Sequence, residues 1–132
     1  SLETLALDNV TAIGQEAFYG CTGLETLKIP KCTRFGNYIV TGCKALTRIE
    51  AIAAGDFVHI SDGSSIERTA VFHNRDSHYG DSAFNPAKCD LVLNADKKQD
   101  GNATPKVFSD NEWLVMPNGQ LMRWNSITFA QQ

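Results

Sequence analysis

The sequence predicts a short solenoid of stacked parallel strands, α/β to mainly β in class, which an irregular β-rich C-terminal cap closes. Two observations lead to this prediction. Residues 1–7 recur twenty-two positions later as residues 23–29. Within each copy apolar residues alternate with polar ones, as they do in a strand that buries one face. Because no single copy can bury its apolar face alone, the copies must stack on one another.

The register between the copies extends beyond the strands. Leu5 aligns with Leu27, and Ile49 takes the same position in a third copy that begins at Leu46 and loses the pattern after Glu50. The period lies in the range of about 20–29 residues of leucine-rich repeats, so we expect these three positions on neighbouring strands. The other aligned pairs are Leu7 and Ile29, Ile13 and Phe35, Gly14 and Gly36, Gly20 and Gly42, and Cys21 and Cys43.

The segments between the strands carry weaker signals. Gly14 and Gly36 predict turns that need a positive φ angle or a close approach of the backbone. Residues 15–19 predict one short helical turn on the outer side of the solenoid. Residues 37–41 are richer in β-branched side chains, which favours an irregular or extended path.

The rest of the chain is predicted to cap the open end of the solenoid, because an uncovered end exposes a strand edge and an apolar interior. The repeats occupy residues 1–54, and the cap occupies residues 55–132 and continues the repeat core. Residues 73–83 have the composition of a polar loop. Segments with strand character are residues 57–60, 66–72 and 89–94.

A β-hairpin is predicted near residues 113–124. Asn118 and Gly119 lie between two apolar runs, and both tolerate the positive φ angles of a two-residue turn. Such a turn pairs Trp113 with Trp124, Val115 with Met122, and Met116 with Leu121. A final strand or packed tail is expected after it, up to residue 129.

Three further segments carry a recognisable pattern: VTAIG at residues 10–14, AFYGC at 17–21 and LETLKIP at 24–30. They resemble the BspA-like leucine-rich repeat, V-x-x-I-G-x-x-A-F-x-G-C-x-x-L-x-x-I-x-I-P, and the resemblance covers residues 1–50. The second copy departs from this pattern at Phe35 and at Ile39-Val40. In the cap, Ala83-Phe84, residues 89–93 and residues 124–127 follow the order of that family's C-terminal segments.

The resemblance implies a secreted or cell-surface protein of anaerobic gut or oral bacteria, or of protists. It also implies a role in adhesion to host proteins or to other cells. We therefore expect a non-enzymatic module for protein–protein adhesion or display, located outside the cell or at its surface.

Charge and hydropathy exclude several other classes of function. The chain has 132 residues, a formal net charge of −3 and a pI near 5.5, which argues against binding to nucleic acid or to anionic lipid. No apolar run approaches the roughly 20 residues that span a bilayer. Residues 1–3 lack the features of an export signal, and the chain begins inside a repeat. We therefore expect a mature product or a piece of a longer protein.

No catalytic, cofactor or metal site is predicted. The sequence has no G-x-S-x-G motif and no glycine-rich phosphate loop after a strand. His73, Asp76, His78 and Asp81 match no known ligand spacing, so a polar surface loop is expected there. Residues 96–107 lack the oxygen ligands of a calcium loop.

The four cysteines form no C-x-x-C pair. Cys21, Cys32 and Cys43 fall in the apolar register of the repeats and are expected to be buried, as is Cys89 in its strand. Free thiols are favoured, because a bridge between the stacked Cys21 and Cys43 would be strained.

The polar side chains between the leucines form two predicted ladders, Thr4–Thr26–Arg48 and Ala6–Lys28–Glu50, on the concave face that solenoids present to partners. We call this surface the ladder face. The candidate binding residues are Thr26, Lys28, Arg48 and Glu50. The expected partner is a protein of the host extracellular matrix or of another cell surface. Alternatively, the face is only solvated, and Lys28 and Glu50 form a weak ion pair.

A second candidate surface is aromatic. The residues Tyr79, Phe84, Trp113 and Trp124 form a carbohydrate or peptide platform if they are exposed and part of the core if they are buried. The platform would make the chain a carbohydrate-binding accessory domain. The exposure of the two tryptophans separates this alternative from protein adhesion.

Overall fold

A computed structural model describes residues 3–52, 58–59, 71–72, 74, 83–94, 112–115 and 121–130. Short strands joined by turns and irregular segments make up the described part, together with a 3₁₀ helix at Pro86–Lys88. In chain order the strands are β1 (Thr4–Ala6), β2 (Ala12–Ile13), β3 (Thr26–Lys28), β4 (Arg34–Phe35), β5 (Arg48–Glu50), β6 (Val58–His59), β7 (Asp90–Asn94), β8 (Glu112–Val115), β9 (Leu121–Arg123) and β10 (Ser126–Ala130).

The main sheet has five parallel strands in the order β1-β3-β5-β7-β10. Leu5 lies opposite Leu27, and Leu27 lies opposite Ile49, which confirms the predicted register. The same row continues into the C-terminal region, where Leu91 pairs with Ile49 and with Ile127. One ladder of apolar side chains therefore runs from the first copy to the last strand.

A second sheet of three strands, β2-β4-β6, lies on the other side of the repeats. The predicted strand at residues 57–60 is present as β6, and it pairs in parallel with β4. Arg34 and Val58 are partners although they are 24 positions apart. Because this spacing is two residues longer than the repeat period, a search at the fixed period does not find β6. The division of the chain at residues 54 and 55 stays a prediction, and strands from both sides of it share both sheets.

The turns between the sheets repeat their backbone conformation at the same period. Glu16 and Tyr38 have φ angles of 59° and 58°, and Gly20 and Gly42 have φ angles of 73° and 77°. The short turn predicted at residues 15–19 is present, but the segment forms hydrogen-bonded turns and not a helix. A left-handed residue inside the segment prevents the run of right-handed dihedrals that a helix needs.

Gly36 is required for close backbone packing, as predicted. A Cβ atom there would lie 2.4 Å from the backbone nitrogen of Gln15 in the preceding copy. At the equivalent position, Gly14, a Cβ atom would meet nothing within 4 Å. The positive φ angles of the described glycines occur instead at Gly20 and Gly42.

The hydrophobic core lies between the two sheets and extends into the C-terminal region. The side chains of Leu27, Phe35 and Ile49 are fully buried in the repeats. Trp124 is 2% exposed. Its ring packs edge-on against Phe72 with a centroid distance of 5.6 Å. Phe84, at 6.0 Å from Trp124, completes this cluster. These three aromatic residues therefore belong to the same apolar core as the buried residues of the repeats.

The side chain of Asn74 links Gly42 of the repeats to Phe84 by hydrogen bonds. In the first copy the backbone N–H of Gly20 donates to the carbonyl of Thr41 at 2.9 Å. The equivalent N–H, of Gly42, donates to the side-chain Oδ1 of Asn74 at 3.1 Å. The Asn74 amide also bonds both backbone groups of Phe84, at 2.9 and 2.7 Å. Asn74 lies outside the strands and the helix, as the predicted polar loop requires, and its side-chain oxygen takes the place of the carbonyl of a further repeat. The other residues of that loop, apart from Ala83, lie outside the described part.

The predicted hairpin is present as the antiparallel pair β8–β9, but its predicted register is wrong. Val115 pairs with Leu121, and Glu112 pairs with Arg123, with an irregularity between the two pairs. The predicted turn needs a hydrogen-bonded pair directly before Asn118, and Pro117 has no N–H to donate there. The strand predicted at residues 89–94 is confirmed as β7, and the tail after Trp124 forms β10.

Candidate functional site

The ladder face is formed by the outward side chains of the main sheet. Thr26 lies opposite Arg48, and Lys28 lies opposite Glu50, in the predicted ladders. Leu27 and Ile49, between them, are fully buried. The alternation of the strands therefore turns the four candidate residues away from the core.

The charged side chains of the ladder face form a small ion-pair group. Arg48 Nε lies 3.1 Å from Glu50 Oε2, and Lys28 Nζ lies 4.0 Å from the same oxygen. The side chains of Lys28 and Arg48 are 43% and 46% exposed, and that of Glu50 is 24% exposed. Exposed pairs of this kind contribute about 0–1 kcal/mol. The tighter pair therefore lies within one strand, between Arg48 and Glu50, and the predicted Lys28–Glu50 pair is the looser one.

The structure adds residues that the sequence did not indicate. Asp90 lies opposite Arg48 on the next strand, and Ser126 lies opposite Asp90. Asp90 Oδ1 accepts hydrogen bonds of 2.7 Å from both Ser126 Oγ and Asn125 Nδ2. These bonds, with a smaller contribution from Arg48, hold the pKa of the Asp90 carboxyl below its usual value. The ladder face thus spans five strands and has a fixed anion beside Arg48.

The charges on this face balance locally. Lys28 and Arg48 supply two cations, and Glu50 and Asp90 supply two carboxylates. Neighbouring ladder positions carry the hydroxyl groups of Thr26 and Ser126, and Thr128 is exposed at the end of the second ladder, whereas Val92, opposite Glu50, is buried. Such a surface suits hydrogen bonds and ion pairs with a polar protein surface, and it lacks the excess of cations that phosphate backbones require.

Trp124 is buried and cannot belong to an exposed aromatic surface. At 2% exposure, Trp124 offers no ring face to a sugar, and Phe84 is equally buried. The expectation that these rings belong to the core therefore describes both of them. Tyr79 and the side chain of Trp113 lie outside the described residues.

The cysteines differ in exposure from one copy to the next. Cys32, Cys43 and Cys89 are buried, whereas Cys21 is exposed, so its predicted burial is wrong. Among the described residues, Cys21 has a repeat packed on one side only, and Cys43 is covered from both sides. The pKa of Cys32 is raised to about 11, and the pKa values of Cys43 and Cys89 are raised to about 12, mainly because these thiols are buried.

The described residues include no cluster of His, Cys, Asp and Glu that could hold a metal ion. His73, Asp76, His78 and Asp81 lie outside this part of the chain, as do residues 96–107. In the parts of the chain that the structure describes, no helix has the length and apolar character that crossing a bilayer requires.

Comparison with known proteins identifies the repeats. A family model for a BspA type leucine-rich repeat region of six copies matches residues 1–87. No curated protein and no solved structure shows significant similarity to the chain. Leucine-rich repeats of this type are commonly surface-associated, bind proteins and are generally non-enzymatic. The matched segment covers strands β1 to β6 and the four parallel pairings among them. The chain therefore belongs to the BspA-type leucine-rich repeat family.

Proposed function

We propose that this chain is a non-enzymatic adhesion or display module, secreted or held at a cell surface, that binds a protein through the ladder face. The observation that carries the proposal is the placement of Thr26, Lys28, Arg48 and Glu50 on two adjacent strands, in register and turned outward. The family supports binding to proteins as the general role.

The extent of the sheet supports a contact with a folded partner or with an extended segment. Five strands at the usual spacing of about 4.8 Å give a face about 19 Å wide. A standard protein interface buries about 800 Å² on each side. A partner must therefore cover all five strands, including Asp90 and Ser126, and also contact residues at the rim.

The ion-pair group supports a contact that depends on ionic strength. Lys28 and Arg48 share one carboxylate, Glu50, and Arg48 also faces Asp90. Exposed charges at a rim mainly control the rate of association, and salt screens them. We expect binding to weaken as the salt concentration rises.

A matched pair of charge reversals tests the ladder face. The test variant is Lys28→Glu with Arg48→Glu. The control is Arg34→Glu with Lys44→Glu, which changes the net charge equally at two exposed residues outside the main sheet. Binding of the purified chain and of both variants is measured on immobilised extracellular matrix proteins and on surface proteins of neighbouring cells.

We expect the test variant to lose at least tenfold in affinity for any protein that the unchanged chain binds, and the control to lose less than twofold. Equal affinities for the two variants would refute binding through the ladder face. Labelling of unpermeabilised cells with an antibody tests the location separately. Labelling that requires permeabilisation would contradict a surface role.

A further inference from the structure

The thiols of Cys21 and Cys43 form a stacked pair in which one member faces solvent and the other is buried. The two residues hold the same position in consecutive copies, and Cys21 is exposed whereas Cys43 is fully buried. We propose that they are a site of reversible thiol–disulfide exchange, in which Cys21 reacts with a low-molecular-weight disulfide and Cys43 then closes an intramolecular bridge. The inference is independent of the proposed function.

The backbone brings the two residues together through one shared acceptor. The carbonyl oxygen of Phe18 accepts the backbone N–H of Cys21 at 3.2 Å and the Sγ of Cys43 at 3.1 Å. The adjacent bond, from Gly20 N–H to Thr41 O at 2.9 Å, fixes the two copies side by side. Stacked positions about 4.8 Å apart lie inside the range of Cα separations that a disulfide permits.

The other buried cysteines lack such a neighbour. Cys32 Sγ donates to the carbonyl of Arg34 at 3.4 Å, and Cys89 Sγ lies 3.8 Å from the carbonyl of Asp90. Only Cys43 has the pKa of its thiol raised by a neighbouring cysteine, Cys21, in addition to the larger effect of burial. These comparisons single out one pair among the four thiols.

The exchange balances in two steps. The Cys21 thiolate attacks one sulfur of a disulfide RSSR, which forms Cys21–S–S–R and releases RS⁻. The Cys43 thiolate then attacks the Cys21 sulfur, which forms the Cys21–Cys43 bridge and releases a second RS⁻. Each thiol gives its proton to solvent, the two cysteines are oxidised, and RSSR is reduced. Parallel stacking aims both Cβ atoms the same way, so the bridge is strained and readily reduced by thiols.

The buried member sets the rate of the second step. Because burial raises the pKa of the Cys43 thiol well above its ordinary value, its thiolate fraction grows about tenfold for each pH unit between pH 7 and 9. Closure of the bridge is expected to accelerate by the same factor. The high local concentration of Cys21 next to Cys43 still favours closure over a second intermolecular exchange.

The test uses 4,4′-dithiodipyridine on the native chain, with the released thiopyridone followed by absorbance. We expect two equivalents from the unchanged chain, one from Cys43→Ala, which keeps the pyridyl adduct, and none from Cys21→Ser in the same time. Cys32→Ala is the matched control for a buried thiol and should still release two. Circular dichroism checks the fold of each variant.

Peptide mapping of the oxidised unchanged chain provides a second measurement that needs no variant. It should join the peptide that contains Cys21 to the one that contains Cys43. A stable adduct on Cys21 with only one equivalent released would overturn the proposal. So would two equivalents from Cys43→Ala, a bridge to Cys32 or Cys89, or no reaction at Cys21.

Discussion

Truncation of Leu27 to alanine tests whether stacking of the copies supplies the stability of the chain. Leu27 is fully buried between Leu5 and Ile49 on the two neighbouring strands. Transfer of a buried leucine side chain is worth about 1.5–3 kcal/mol. The cavity that remains raises the total for Leu→Ala to about 2.7–5 kcal/mol. For a site enclosed on both sides we expect a loss of about 3.5 kcal/mol in the free energy of unfolding.

The equivalent position in the first copy is the control. Leu5 is only partly buried and has a strand on one side, so Leu5→Ala leaves no closed cavity and should cost about 1 kcal/mol. At a urea dependence of about 2 kcal/mol per M, the unfolding midpoints should fall by about 1.7 M for Leu27→Ala and about 0.5 M for Leu5→Ala. Equal shifts, or a loss below about 1 kcal/mol at Leu27, would refute the reasoning.

Three further predictions concern single backbone or side-chain features. Gly36→Ala should lower the free energy of unfolding by more than about 2 kcal/mol, because the added Cβ clashes with the backbone of the preceding copy. The control, Gly14→Ala, should be neutral or stabilise by up to about 1 kcal/mol. Similar urea midpoints for the two variants would be evidence against the stacking geometry. Asn74→Ala removes three hydrogen bonds to backbone groups and should lower the free energy of unfolding by about 2 kcal/mol. The control, Asn85→Ala, removes one exposed capping hydrogen bond and should lower it by about 1 kcal/mol or less. Thermal unfolding of both variants checks this order. Folding depresses the pKa of Asp90, so its stabilising contribution is full above the unfolded pKa near 4 and disappears as the pH falls through the folded pKa. Asp90→Asn should therefore lower the free energy of unfolding at pH 6 and lower it much less at pH 2. A difference between the two proteins that does not change with pH would contradict this.

The stacking of the first three copies was predictable, because it depends on a fixed period. Leu5, Leu27 and Ile49 are evenly spaced in sequence, and even spacing places them in one row. The left-handed turn residues were not predictable. Glu16 and Tyr38 belong to residue types that seldom adopt a positive φ angle, and the stacked backbone imposes it on them.

The later strands could not be placed from the sequence because their connections differ in length. The partner of Arg34 on β6 is 24 positions away, and the partner of Arg48 on β7 is 42 positions away. The strand character of residues 89–94 was visible, but nothing local fixes its neighbour or its register.

The residues of the candidate site were likewise only partly predictable from the sequence. Lys28 and Glu50 were found because they keep the repeat period. Asp90 and Ser126 were missed because their place beside Arg48 depends on that irregular register. The exposure of Cys21 was missed for another reason: a residue pattern assigns equal burial to equivalent positions, whereas the described residues cover Cys43 from both sides and Cys21 from one side only.

The most direct test of the continuous five-stranded ladder is an NMR measurement of interstrand contacts in the isotopically labelled chain. The structure predicts methyl–methyl contacts from Ile49 to Leu91 and from Leu91 to Ile127, together with the backbone pattern of parallel pairing across β5, β7 and β10. Contacts between facing Hα atoms of these strands would indicate antiparallel pairing. That result, or the absence of contacts between Ile49 and Leu91, would contradict the ladder face as one surface.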